Sequence, residues 1–285
     1  MRWKGRKQST NIEDRRGGGS SRSKGGAKVG GVGFVVLLLI YLFTGQGQNF
    51  MDNMGGDASV ISENNTNSQA GSGINDDGRE FIAVVLKDTE DVWNPIFQQA
   101  GLRYQEPKVV LFEDSVRSAC GLTSSAVGPF YCPGDLKVYL DLGFFSQLSQ
   151  MGVRGDFAQA YVVAHEVGHH VQKLQGISDK VLQMQRRMSK VQANQMSVLL
   201  ELQADCYAGI WARRQANYRL LEDGDLEEAI NAAGNIGDDR IQQRSGGYVS
   251  PDSFTHGSSA QRIEWLKKGM LGGDVNSCDT FAGLR

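Results

Sequence analysis

The run Tyr161-Val162-Val163-Ala164-His165-Glu166-Val167-Gly168-His169 constrains this chain more than any other, because it sets two imidazoles and a carboxylate in an apolar stretch that reads as a buried helix. Residues four apart share a helix face, so His165 and His169 point the same way and Glu166 lies one step round. Two imidazoles on one face suit a single metal ion, and Gly168 between them lets another backbone come close.

A catalytic zinc takes three protein ligands and leaves one position for water, whereas a closed four-ligand site is structural. His165 and His169 give two ligands. The third predicted from the sequence is Glu201, in Glu201-Leu202-Gln203-Ala204-Asp205, on a second helix that crosses the first. Asp205, one turn on, is placed to accept the free ring N–H of a ligand histidine. The extended HExxHxxGxxH pattern is excluded, because Gln172 and Gln175 stand where it needs glycine and histidine. His170 points roughly 100° away from His169 around the helix, which makes it a supporting or surface residue rather than a ligand. The competing reading of Glu201 and Asp205 is the solvated face of an amphipathic helix.

With Zn2+ in place, Glu166 is the expected general base on a zinc-activated water, and the oxyanion that develops needs a donor nearby. His256, in the loop Phe254-Thr255-His256-Gly257-Ser258 just before a helix carrying Arg262, is the candidate.

With 40% hydrophobic and 22% charged residues, the chain has the make-up of a folded protein with room for one good-sized domain. The charge is uneven. Residues 1–28 hold nine Lys or Arg against Glu13 and Asp14, although the whole chain is at −2. Val29 to Phe43 is uncharged and apolar, approaching the roughly 20 residues that span a bilayer. These features predict a basic cytoplasmic arm (1–28), a transmembrane signal anchor (29–44), a flexible Gly/Asn/Ser-rich linker (45–79) and a folded domain (80–285) outside the cytoplasm. A cleaved signal peptide is the alternative to the anchor. A nucleic-acid role for the arm is set aside, since no aromatic interleaving accompanies it.

Within the domain, a helix interrupted at Asn94-Pro95 is expected from Glu80, with strands at Lys108–Phe112 and Lys137–Leu142. Helices are expected at Asp156–Gln175, Asp179 to about Tyr218, Asp225–Ala233 and Ser259–Lys268, the last capped by Ser258 or Ser259. The fold class is α+β, mainly helical with a small sheet, preceded by one transmembrane helix. Cys120 and Cys132 flank a short Gly/Pro loop and can close a local bridge; Cys206 and Cys278 would then tie the C-terminal tail to the helix carrying Glu201. Four free thiols are the alternative.

At the MRWKGR start, HEVGHHVQ, ELQADCYAG and FTHGSSAQR the chain resembles a bacterial family of membrane-anchored neutral zinc metallopeptidases. More distantly it is similar to gluzincins that pair HExxH with ExxxD and carry a later His-Pro segment with an Arg six residues beyond that His. The resemblance implies a zincin-like fold, Glu201 as third zinc ligand, and His256 and Arg262 on the substrate or tetrahedral intermediate. It further implies protein or peptide substrates, a bacterial inner membrane with a periplasmic catalytic domain, and an exposed strand at Val138–Asp141 that aligns substrate. Gly257 replaces the proline of that pattern. Two rival functions stand beside peptidase: a catalytically silent envelope binding or scaffold protein of the same fold, and a zinc amidase acting on a non-protein amide.

Overall fold

The computed structural model describes residues 1–17 and 76–284. Strand β1 (Ile12–Asp14) is followed by helix α1 (Asp77–Gln99), whose first turn is capped by Asp76 accepting from the Arg79 N–H. The helix begins ahead of the expected Glu80 and runs on through Pro95. β2 (Lys108–Phe112), the hairpin β3–β4 (Ser115–Ser118, Gly121–Ser124), β5 (Phe130–Cys132) and β6 (Lys137–Asp141) come next. Seven helices follow: α2 (Gly143–Gln150), α3 (Asp156–Leu174), α4 (Ile177–Gln185), α5 (Lys190–Asn217), α6 (Asp225–Asn235), α7 (Asp238–Gly246) and α8 (Ser259–Gly272).

The four-stranded sheet has the order β1-β2-β6-β5, with β1, β2 and β6 parallel and β5 antiparallel to β6. β6 therefore lies inside the sheet. Val138, Tyr139 and Leu140 are fully buried, and Val138 and Tyr139 are paired on both sides while Leu140 and Asp141 pair with β2 alone. The expected exposed substrate-aligning strand at Val138–Asp141 is thus corrected to a core strand over most of its length. The free edge on that side is β5.

The expected basic arm is also corrected over its described part. Residues 1–17 belong to the domain: β1 pairs with β2 from Ile12↔Val109 to Asp14↔Leu111, Trp3 packs edge-on against Phe81, and Arg6 forks onto Asp88 at 2.5 and 2.9 Å. The Met1 amino group meets Asp156, Glu222 and Asp225.

The expected transmembrane helix is not part of the observed architecture: no helix among the described residues is long and apolar enough to cross a membrane. Their apolar runs are too short for that, Phe81–Leu86 giving way to Lys87 and Asp88, and Ala160–Ala164 to His165 and Glu166. The segment 29–44 and most of the expected linker lie outside the described residues.

The stretch expected as one helix from Asp179 is two. Ser189 starts α5 with a reciprocal capping box to Gln192, and a helix cannot continue unbroken through an N-cap residue held in extended conformation. α5 is the central helix, crossed by α3 on one side and α8 on the other, with Trp211 stacked on Phe157 of α3 at 5.2 Å between centroids. Both crossings are made at glycines. A methyl on Gly168 would stand 3.0 Å from the Ala204 carbonyl oxygen, and one on Gly269 would stand 1.9 Å from that of Cys206. Both disulfides form: Cys120–Cys132 ties β5 to the β3–β4 turn, and Cys206–Cys278 ties the C-terminal segment to α5.

Candidate metal centre

Where α3 and α5 cross, the backbones approach closely enough at Gly168 and Ala204 for their polar side chains to meet in the interior. Glu201 turns one oxygen to each imidazole, Oε2 at 3.1 Å from His165 Nε2 and Oε1 at 3.3 Å from His169 Nε2. One donor atom from each of the three residues lies within 4.8 Å of the others. Glu166 is also buried here, and among the described residues no side chain or backbone group hydrogen-bonds its carboxylate.

The outer ring nitrogens fix the tautomers. Asp205 Oδ1 accepts from His165 Nδ1 at 2.9 Å and from the Tyr161 hydroxyl at 2.6 Å, while Arg262 donates to both Asp205 oxygens, from Nε at 2.9 Å and Nη2 at 3.0 Å. His169 Nδ1 donates to Gln172 Oε1 at 2.9 Å; the Gln172 amide in turn donates to the Leu200 carbonyl at 2.7 Å and to Gln203 at 3.1 Å, which sets which end faces His169. With Nδ1 engaged from behind, each ring turns its Nε2 to a carboxylate oxygen, and a ring that gives up its Nε2 proton leaves that nitrogen bare. Acceptor then faces acceptor, an arrangement that calls for protons or a cation between them.

Electrostatics agree with that geometry. Burial works against a charged His165, yet Asp205 and Glu201 outweigh it and hold the imidazolium up to about 10. Burial also opposes ionisation of Glu201, and His169, His256 and His165 overcome it, keeping the carboxyl well below the ordinary range. Burial pushes the Glu166 carboxyl up. Two nitrogens, each oriented from behind, and one buried carboxylate are the donor set of an open zinc site, so the residues present fit that ion. A second carboxylate cluster, Asp156, Asp225 and Glu228, is met instead by the Met1 amino group and the Phe157 N–H.

The other residues singled out by sequence sit as follows. His256 is close enough to Glu201 for each to favour the other's charged form, and its Nδ1 pairs with Asp238 at 3.0 Å. Arg262 is 3% exposed and lies behind His165, its guanidinium held by Asp205, Tyr161 and the Ile236 carbonyl. The implied contact of Arg262 with substrate is thus replaced by a hold on Asp205. His170, fully buried on the opposite side of α3, is neither a surface residue nor part of this site. Burial lowers its pKa to about 4, and the neutral ring donates to the Gln105 carbonyl and accepts from Tyr131 on β5.

The sequence reading did not single out Tyr161, Gln172 as a partner of His169, or Asp238. Spacing could have found the first two, since Tyr161 is one turn before His165 and Gln172 three residues after His169. Asp238 carries no such signal, because its partners lie across a loop.

A model of the family described as "Putative neutral zinc metallopeptidase" matches residues 1–281. The chain belongs to this zinc metallopeptidase family. The uncharacterized protein YpfJ of Escherichia coli K12 is 46% identical over 291 residues, covering 99% of both chains. The uncharacterized protein Rv2575 of Mycobacterium tuberculosis H37Rv is 41% identical over 213 residues, covering 70% of both. No solved structure matches the chain at significance. Zinc is the ion that membership of the zinc metallopeptidase family implies for His165, His169 and Glu201.

Because Asp205 is the charge that holds the His165 ring, Asp205→Asn is expected to weaken zinc binding about 10–100-fold. Competition with a chromophoric chelator measures it; an unchanged affinity would show that Asp205 serves only Arg262.

Proposed function

We propose that this protein is a zinc-dependent peptidase that hydrolyses peptide bonds of protein substrates, acting as an endopeptidase with Glu166 as general base. The observation that carries the reading is the meeting of two imidazole Nε2 atoms with the Glu201 carboxylate, beside the buried Glu166 carboxyl, which has no hydrogen-bond partner among the described residues. Bound by His165, His169 and Glu201, zinc supplies Lewis acidity to polarise a carbonyl and to bring the acidity of water near neutrality.

The protein's own groups supply the rest. Glu166, its carboxyl raised by burial, takes a proton from the attacking water and returns it to the leaving amine. His256 donates from the α5 side of the site to the negative charge that develops on the carbonyl oxygen. Asp205, Tyr161 and Arg262 keep the His165 ring in the orientation and tautomer that leave its Nε2 free. The β5 edge beside α3 offers main-chain groups on which an extended peptide can align as an added strand. The two disulfides support an oxidising compartment for the domain.

The test is zinc analysis of the purified protein and of Glu201→Ala, together with mass mapping of fragments released from an unfolded protein. Wild type is expected to hold one equivalent of zinc and to cut internal bonds. The variant should lose both the metal and the cleavage. Full zinc retention by Glu201→Ala sinks the ligand assignment, and an absence of fragments from zinc-loaded wild type sinks the peptidase reading.

A further inference from the structure

The backbone on either side of His256 is gathered onto one carboxylate of a different helix. Asp238, the first residue of α7, is 5% exposed. Its Oδ2 accepts three consecutive backbone N–H groups, from Thr255 at 2.7 Å, His256 at 2.7 Å and Gly257 at 3.1 Å. Its Oδ1 takes the His256 Nδ1–H at 3.0 Å, and its own N–H donates back to the Gly257 carbonyl at 2.9 Å. Next to it, Asp239 Oδ1 accepts the Ser259 N–H and hydroxyl, both at 2.7 Å, fixing the far end of the loop to the start of α8.

We propose that Asp238 is the positioning residue for His256, replacing by a carboxylate clamp the rigidity that a proline after the histidine would give. Gly257 is part of the same device. Its φ of +91° is closed to proline, whose ring fixes φ near −65°, and its N–H is one of the three that Asp238 receives. A proline could neither adopt the turn nor donate. The clamp determines two things about the imidazole. The backbone contacts fix where the ring stands, and the Nδ1 contact fixes its tautomer, leaving Nε2 as the atom available to a ligand. Asp238 makes no hydrogen bond or ion pair with the three metal-binding side chains, so it acts through His256.

The charged groups around the ring are Asp238 from α7, Glu201 from α5 and Arg262 from α8. Burial and Arg262 disfavour the imidazolium, whereas Asp238 and Glu201 favour it with the larger combined effect. Because the Asp238 carboxylate hydrogen-bonds Nδ1 directly, removing its charge is expected to lower the pH at which His256 loses its proton.

Asp238→Asn keeps an oxygen for the backbone donors but removes the charge and turns an amide N–H toward Nδ1. The experiment uses the full-length protein. An imidazole NMR titration of wild type and Asp238→Asn, with His256→Gln to assign the resonance, reads the positioning without any reference to activity. Alongside it, hydrolysis of an unfolded protein is followed across pH in wild type, Asp238→Asn, His256→Gln and the double variant.

In Asp238→Asn, His256 is expected to titrate at lower pH and kcat to fall about 10–100-fold with KM little changed, its alkaline limb moving down in pH. In the His256→Gln background the same substitution is expected to add no further loss, an outcome that a purely structural role would not give. An unmoved His256 titration, or an equal loss in both backgrounds, overturns the proposal. The kinetic arm rests on the peptidase reading: should wild type hydrolyse nothing, that reading fails, and the titration alone decides the role of Asp238.

Discussion

Glu166→Gln is expected to abolish hydrolysis while leaving zinc content and melting temperature at their wild-type values. The side chain is buried at the centre of the site, and among the described residues nothing hydrogen-bonds its carboxylate, so the substitution breaks no contact that holds the fold. Gln matches Glu in shape and cannot take up a proton. A positioned general base contributes typically about 10²–10⁴-fold, and a loss in that range is expected in kcat, with KM moving far less. The metal should stay because its donors are His165, His169 and Glu201, oriented by Gln172 and Asp205 rather than by Glu166. Metal analysis, a thermal melt and the rate on an unfolded protein check the three parts separately. Unchanged turnover would remove Glu166 from the reaction, and lost zinc would show that it supports the ligand cage.

The sequence and the structure agree best where the information is local and helical. His165, Glu166 and His169 lie one turn or less apart, and Glu201 with Asp205 is another one-turn pair, so each half of the centre follows from helix periodicity alone. Bringing the halves together depends on Gly168 meeting Ala204, and a glycine between two histidines hints at such an approach without naming its partner. Contacts over long separation are the ones that escape. The parallel pairing of Ile12–Asp14 with Val109–Leu111 joins segments nearly a hundred residues apart, and nothing in three residues of sequence specifies it. The basic residues around it read as topology signals because Asp88, the partner of Arg6, and Asp76, which Arg16 meets besides its neighbour Asp14, lie far along the chain.

Arg262 shows a different kind of miss. The spacing from His256 places it on the right helix, but a spacing says nothing about which way a long side chain reaches. From α8 it reaches the fully buried Asp205 of α5, and a buried carboxylate that already serves His165 and Tyr161 draws in a guanidinium able to satisfy both its oxygens. The same residue that keeps His165 oriented thus determines where Arg262 goes. Asp238 repeats the pattern on the other side of the site, taking up His256 from behind. In both cases a histidine facing the centre is backed by a buried aspartate.

Gly269→Ala is expected to cause the largest loss of stability among single methyl additions at the helix crossings. An added Cβ would fall 1.9 Å from the Cys206 carbonyl oxygen and within 3.0 Å of the Gly209 Cα, so the obstruction is backbone rather than a side chain that could swing away. α5 and α8 would have to separate. Overpacking of this kind costs typically about 1–3 kcal/mol when side chains can yield, and the upper end or beyond is expected here, against about 1 kcal/mol gained from alanine's helix propensity. For a domain of this size the net loss corresponds to a fall of roughly 5–10 °C in melting temperature.

The separation also reaches the centre, because Arg262 lies two turns before Gly269 on α8, and Asp205 adjoins Cys206 on α5. Pulling the helices apart there loosens the guanidinium from Asp205 and frees the His165 ring, so zinc affinity should drop together with stability. Gly246→Ala is the control: it ends α7, and nothing lies within 4 Å of its added methyl. If the two variants melt alike, the α5–α8 crossing is looser than its glycines imply; if only Gly269→Ala falls and its zinc affinity falls with it, the crossing holds the metal centre as well as the fold.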